Sequence, residues 1–208
     1  MKAKIIQYSS AEGYNLAAEG YDQKEAYLNS FEQGRIMPLL GEIKNLEVLD
    51  AGAGTGRLSL KLFQKGARVT AFDISEKMLL MLKRKNKKIS TVVGDAENLP
   101  FSDKKFDLVV AAFLVVHLKN PERFFDEVYR VLKPGLPAQA GGRFIVTNIN
   151  QKDPPVIKTK KGPIVIESYY HRPEKIIEIL NSLAFTVEKE IFTREGERWV
   201  SQIVVVRK

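Results

Sequence analysis

The sequence predicts a layered α/β fold around a parallel sheet, and three observations carry that reading. From residue 46 onward, short apolar runs alternate with stretches whose apolar residues recur at helical spacing. One run, Phe106 to Ala112, is nearly continuous in apolar residues, as a strand buried on both faces requires. A glycine-rich turn at residues 52–56 joins the first run to the first helical stretch.

The first 45 residues read as helical and rich in aromatic side chains, with Tyr8, Tyr14, Tyr21, Tyr27 and Phe31 spread through them. Helices are placed at 7–17, 22–29 and 31–41, the last capped by Ser30 and interrupted by Pro38. Leu46, Val48 and Leu49 then form a first strand. Leu58, Leu60, Leu62 and Phe63 ride a helix that ends near Gly66. Val69, Ala71 and Phe72 make a second strand, and Ser75 caps a helix carrying Met78, Leu79, Leu80 and Leu82. Ile89 to Val93 and Phe106 to Ala112 are the third and fourth strands. Phe124, Phe125, Val128, Val131 and Leu132 define a helix that starts near Asn120 or Pro121 and stops at Pro134-Gly135. Phe144 to Ile149 is the fifth strand. A long polar connection, 150–171, contains Pro154, Pro155 and Pro163, and a helix with Ile176, Ile177, Ile179 and Leu180 follows. Phe185–Phe192 and Trp199–Val206 close the chain as an antiparallel hairpin about Glu195-Gly196-Glu197.

Composition excludes several chemistries. The chain of 208 residues has no cysteine, which removes disulfides, thiolate nucleophiles, iron–sulfur clusters and cysteine-held zinc. With His117 and His171 as the only histidines, no multi-histidine metal site is expected and no metal ligand is assigned, though carboxylates could still hold a hard cation. The net charge of +8 suits an acidic small substrate, a nucleic acid or simply a solvated surface. The run Lys83 to Lys88 sits at a helix C-terminus, where cations favour the dipole. No apolar run is long enough to span a bilayer, and no apolar stretch of the export-signal kind follows Met1-Lys2-Ala3-Lys4. A cytoplasmic location is the expectation.

The most informative stretch is Val48 to Gly56, with Asp50, Ala51, Gly52, Ala53, Gly54 and Gly56 between a strand and a helix. A dinucleotide fingerprint requires its third glycine one residue later, where Arg57 stands, and no Walker lysine follows. The loop therefore favours a nucleotide-like ligand without a pyrophosphate clamp, its backbone and the helix N-terminus offering N–H groups. Asp73 ends the second strand, where a carboxylate accepts from both ribose hydroxyls. Asp95 ends the third strand, able to accept from an exocyclic amine while the Ala96 N–H donates to a ring nitrogen.

These residues resemble the class I S-adenosylmethionine-dependent methyltransferases, within the small-molecule group that includes ubiquinone and menaquinone C-methyltransferases. Six parts carry the likeness: Val48 to Gly56, Phe72 to Ser75, Gly94 to Glu97, Leu99-Pro100-Phe101, Phe106-Asp107, and Tyr129 to Gly135. The likeness is close over 46–135 and looser elsewhere. It implies a seven-stranded Rossmann-like sheet of order 3-2-1-4-5-7-6, last strand antiparallel, with helices on both faces. It implies S-adenosylmethionine as cofactor and S-adenosylhomocysteine as product. Asp50 and the loop would hold the methionine part, Asp73 the ribose, and Ile74 the adenine face, with Asp95 and Ala96 reading its edge. Residues 1–45 would form a lid that brings Tyr21 to the cofactor, over a core of 46–208.

His117, just past the fourth strand, is the candidate general base or else a pocket-lining residue. The 150–171 connection lies at the crevice end of the sheet. Tyr169 and Tyr170 there would wall a substrate, and His171 or Arg172 would meet an anion. The expected activity is in-line methyl transfer to a small molecule, anionic or aromatic in character. An RNA or protein acceptor is the second reading, and a non-catalytic cofactor-binding scaffold the third. Acceptor atom and oligomeric state stay open. One departure from the family is Leu136 to Ala140, inserted between Pro134-Gly135 and Gly141-Gly142 at the sheet's bottom edge, where it is expected to be functionally quiet.

Overall fold

The structure, a computed structural model, describes residues 5–135, 141–160 and 162–208. The insertion Leu136 to Ala140 lies outside the described residues.

The chain runs through β1 (Ile6–Tyr8), α1 (Ser10–Ala17), a 3-10 turn (Ala18–Lys24), α2 (Glu25–Glu32) and α3 (Ile36–Leu39) before entering the sheet. There follow β2 (Glu47–Ala51), α4 (Arg57–Gln64), β3 (Arg68–Asp73), α5 (Glu76–Lys85), β4 (Ser90–Val93) and β5 (Leu108–Ala111). After a 3-10 turn at Val115–His117 come α6 (Pro121–Val131), β6 (Arg143–Ile149), β7 (Val156–Thr159), β8 (Gly162–Ile166), α7 (Pro173–Ser182), β9 (Thr186–Glu195) and β10 (Arg198–Arg207).

Seven strands form one sheet in the order β4-β3-β2-β5-β6-β10-β9. Counted from β2, this is 3-2-1-4-5-7-6, and β10 runs antiparallel to both β6 and β9. Alternate residues of each buried strand face opposite layers. Leu49, Phe72, Val109 and Phe144 meet Phe124 and Phe125 of α6 and Ile176 and Leu180 of α7. Val48, Val69, Leu108 and Ile145 meet Ile36 of α3, Leu58 and Leu62 of α4, and Leu79 and Leu82 of α5. Connections leave β2 and β5 in opposite directions, so a crevice opens at their carboxyl ends. Among the described residues no helix is long and apolar enough to cross a membrane.

The caps at Ser75 and Asn120 stand where expected: each side chain accepts from an N–H of the first helical turn. Three expectations need correction. Ser30 lies inside α2, its hydroxyl donating to the Tyr27 carbonyl, and caps nothing. The N-terminal segment is not wholly helical, because β1 pairs in parallel with β8. The 150–171 connection is not an open loop, because β7 and β8 form a hairpin within it. These three strands make a second sheet, β1-β8-β7. Ile157, Ile164 and Ile166 from the hairpin bury against Ala17, Ala18 and Met78.

Polar contacts fasten the N-terminal segment to the core. The Ser75 hydroxyl donates to Asn15 Oδ1 at 2.7 Å. Asp22 accepts from the Thr55 hydroxyl at 2.6 Å and from the Lys85 ammonium at 2.7 Å. Glu32 takes two parallel bonds of 2.8 Å from the Arg57 guanidinium. The Thr193 and Ser201 hydroxyls both reach the Phe31 carbonyl.

Gly56 tests how tightly α4 and α5 are set against each other. It has φ +92°, and a Cβ there would lie 2.3 Å from Leu82 Cδ1. Gly56→Ala is expected to destabilise the fold by about 1–3 kcal/mol through left-handed strain and overpacking. Thermal unfolding checks this, since each kcal/mol lowers Tm by about 2–4 °C in a chain of this size.

Candidate active site

The crevice holds a cavity of about 370 Å³. Its floor is the loop after β2. Gly52 has φ +74° and Gly54 has φ +55°, so the chain folds sharply back over the sheet end. The Gly52 and Ala53 N–H groups donate to the Phe72 carbonyl at 2.8 and 3.0 Å. The Gly54 N–H donates to Asp73 Oδ2 at 2.8 Å, and the Gly56 N–H to the Ala53 carbonyl at 2.9 Å. These four amides are thus committed inside the protein. What the loop contributes is room: a Cβ on Gly52 would press Leu114 at 3.0 Å.

Asp73 and Asp50 are the buried acids of the site. Asp73 Oδ1 accepts from the Ser75 N–H at 2.8 Å while Oδ2 holds Gly54. Burial raises its pKa, and these amide bonds oppose the rise. Asp50 is 2% exposed and accepts from the Ser59 hydroxyl. Burial pushes its pKa up to about 6, against the pull of Ser59 and Arg57. Asp95 is exposed at the cavity rim, its Oδ1 accepting from the Glu97 N–H at 2.9 Å. Ile74 and Ala96 complete that wall, Ile74 showing 40% of its surface. An exposed apolar side chain between two carboxylates suits a flat base beside polar sugar groups.

Of the expected cofactor residues, Asp50, Gly52, Ala53, Gly54, Asp73, Ile74, Asp95, Ala96 and Tyr21 line this cavity. Ala51 does not, being packed into the core on the α6 side. Gly56 does not either; it sits against Leu82 and serves helix packing.

His117 also lines the cavity, with a specific set of partners. Its Nδ1 lies 2.8 Å from the Glu167 carbonyl, which can only accept, so Nδ1 carries the hydrogen. Burial lowers its pKa and keeps the ring neutral. Nε2 is therefore an acceptor, and it receives the Tyr14 hydroxyl at 2.6 Å. Burial, followed by Tyr21 and Asp73, raises the Tyr14 pKa well above the phenol range, and burial pushes Tyr21 up to about 12. The two tyrosine rings meet edge to face at 5.7 Å.

On the acceptor side the expected residues separate. Tyr169 lines the cavity, its N–H donating to the Val116 carbonyl at 2.7 Å. Tyr170 lies outside, near Trp199 at 6.4 Å between ring centres and beneath Lys152. His171 donates from Nε2 to the Leu118 carbonyl at 2.9 Å and anchors the segment outside the cavity. Arg172 is exposed at the start of α7 and does not line the cavity either. Residues that sequence reasoning missed include Tyr14, Arg57 and Phe113, all lining the cavity. Phe113 has φ +61°, a strained backbone at the crevice mouth. The seven-residue spacing of Tyr14 and Tyr21 was the available signal for the first of these.

Residues 49–136 match the family model described as a methyltransferase domain. The demethylmenaquinone methyltransferase of Tropheryma whipplei (strain Twist) is 33% identical over 139 residues, covering 64% of this chain and 56% of that protein. The malonyl-[acyl-carrier protein] O-methyltransferase of Pectobacterium atrosepticum is 34% identical over 125 residues, covering 60% and 49%. The chain thus spans about half the length of these curated relatives. An S-adenosylmethionine-dependent methyltransferase structure from Mesorhizobium loti superposes with TM-score 0.70 at 18% identity, over 85% of this chain and 97% of that one. Over residues 49–136 the chain thus matches a methyltransferase domain, and its fold is that of the S-adenosylmethionine-dependent methyltransferase structure.

Asp50 yields a stability test. Its folded pKa of about 6 lies above the ordinary carboxyl value of 3.8. Below the lower value both states are protonated and no penalty exists. As pH rises from 3.8 to about 6 the unfolded chain ionises while the folded acid keeps its proton, so stability falls across that window and levels off above it. The loss should reach on the order of 2–3 kcal/mol. Chemical unfolding from pH 4 to 7 should show this slope in the wild type. Asp50→Asn should flatten it and gain stability at neutral pH.

Proposed function

We propose that this class I methyltransferase domain moves a methyl group from S-adenosylmethionine to a small-molecule acceptor by in-line displacement, leaving S-adenosylhomocysteine. The observation that carries this reading is the convergence of Asp50, Asp73, exposed Ile74 and Asp95 on one cavity of about 370 Å³. Bound there, the cofactor supplies an electrophilic methyl on a sulfonium, which needs alignment and a dry site more than activation. Asp73 receives the ribose hydroxyls on the lone pairs its two amides leave open. Ile74 packs on the adenine, with Asp95 and the Ala96 N–H at its edge. Asp50 faces the ammonium of the methionine part.

The segment before residue 46 acts as the lid. Tyr21 and Tyr14 close the cavity from that side, and Arg57 tied to Glu32 holds α2 in place. His117 does not act directly, because Tyr14 already occupies its acceptor nitrogen. Tyr14 presents an oxygen to the acceptor, and His117 positions that hydroxyl and receives its proton when the acceptor must lose one. A relative named demethylmenaquinone methyltransferase supports a small acceptor. The acceptor itself is taken up below.

Three outcomes follow. Calorimetric titration should show S-adenosylhomocysteine binding on the order of 1–100 μM, in the range of enzyme ligands. Absence of that binding, with nicotinamide cofactors binding instead, would refute the reading. Asp73→Ala should weaken it by roughly 1.5–3 kcal/mol for each lost charge-assisted bond, in a folded chain. Affinity in the wild type should rise with pH through about 6, as Asp50 gains the charge that meets the ammonium; Asp50→Asn should lack that rise.

Tyr14→Phe and His117→Ala should each lower turnover by about 10²-fold, measured as S-adenosylhomocysteine release over a panel of phenols, quinols and acids. The double variant should lose little more than either single one, since coupled groups are non-additive.

A further inference from the structure

A second, smaller cavity of about 60 Å³ adjoins the first. Tyr14, Tyr21, Leu28, Phe113 and His117 line both, so the proposed transfer point lies on their common wall. The far side of the smaller chamber is built by Phe31, Ile157 and Ile166, the last two from the β7–β8 hairpin. This slot is lined by the N-terminal segment, the turn after β5 and the hairpin, mostly with rings and branched aliphatics.

Lys24 stands in the wall of this slot. It ends the 3-10 turn after α1 and is half-buried. Among the described residues it has neither a hydrogen bond nor an ion pair. The other cations that hold the lid differ: Arg57 meets Glu32 and Lys85 meets Asp22. Burial pulls the Lys24 pKa below the ordinary lysine value, and no neighbouring carboxylate counters it. A partly desolvated ammonium without a counter-ion is unfavourable, and lysines usually extend such a head into water. Here it borders a cavity that is otherwise apolar except for Gln151, His117 and the tyrosine hydroxyls.

We propose that this slot is the acceptor site, and that Lys24 anchors an anionic group of the acceptor. The substrate class is a flat apolar acid: its carboxylate pairs with the Lys24 ammonium beside Phe31, Ile157 and Ile166, and its body extends across the common wall into the larger cavity. The atom to be methylated then sits at the Tyr14–His117 end, away from the anchor. This rests on the methyl-transfer reading for the position of the transfer point, but the anion site itself is separately testable.

Cinnamate and its neutral amide serve as probes, with binding to the full chain measured by equilibrium dialysis with and without S-adenosylhomocysteine. Cinnamate should bind at least about tenfold more tightly than the amide, as a charge-assisted bond provides. Lys24→Met and Lys24→Gln should bind the two alike, while Lys24→Arg keeps the preference. Unchanged circular dichroism is the folding control for each variant. Equal binding of acid and amide by the wild type, or a preference that survives both neutral substitutions, would overturn the proposal. If S-adenosylhomocysteine fails to bind while the Lys24-dependent preference is present, the methyl-transfer reading falls and the anion site stands. If it binds and the preference is absent, the reverse holds.

Discussion

The site depends first on one buried carboxylate. Asp73 holds Gly54 with one oxygen and Ser75 with the other. The first bond sets the height of the loop after β2. The second fixes the start of α5, and Ser75 in turn donates its hydroxyl to Asn15 of α1. One side chain at the end of β3 therefore ties together a neighbouring strand's loop, a helix cap and the lid. Removing water from a carboxylate is costly, and its charge-assisted amide bonds offset part of that cost. The raised pKa records that burial outweighs those bonds in the folded chain. Each of its oxygens keeps a lone pair beyond its amide bond, and the side chain lines the cavity.

The lid follows a different logic from the sheet. The sheet's faces are joined by large apolar side chains such as Phe72, Phe124 and Phe144. The lid has a small apolar cluster of mainly alanine, methionine and isoleucine, and its placement is set by Asn15, Asp22 and Glu32. Buried ion pairs contribute little net stability against apolar substitutes, yet breaking one partner is costly. The Arg57–Glu32 pair, with side chains 12% and 4% exposed, therefore specifies where α2 sits more than it strengthens the fold. The same segment carries Tyr14 and Tyr21, which line the cavity.

What the sequence revealed and what it hid divide along sequence separation. The parallel sheet and the glycine loop were legible because each βαβ unit is written in contiguous residues, with its cap and its turn glycines in place. Strand β1 and the β7–β8 hairpin were not: Ile6 pairs with Ile164, and strands of three to five residues leave almost no periodic signal. Pro163 inside β8 pointed to a loop, yet its missing N–H is tolerated in so short a strand beside the hairpin turn. The Tyr14–His117 bond spans 103 positions, and nothing in either neighbourhood announces the other. Asp50, Asp73 and Asp95 were placed correctly at the crevice because strand ends alone determine them. Ala51 failed by the alternation of its strand, one residue from a cavity-lining neighbour on each side.

The same alternation separates Tyr169 from Tyr170. Residues 167–172 form an irregular connection between β8 and α7, so adjacent side chains diverge. Tyr169 turns to the cavity, Tyr170 to Trp199, and His171 back to the Leu118 carbonyl. Two of the three thus fasten the connection while one faces the chemistry. Glu167, at the start of the connection, contributes only its carbonyl, but that carbonyl fixes the His117 tautomer and through it the direction of the Tyr14 hydroxyl. The hydroxyl comes from α1, the imidazole from the turn after β5, and the carbonyl from the end of the small sheet. Because β1 and β8 are paired, a shift of the hairpin moves α1 and the carbonyl together. On the proposed reading, acceptor geometry follows the second sheet, while the carboxylates stand on the first. Substitutions in the hairpin should alter which molecule fits without disturbing how the nucleoside is held.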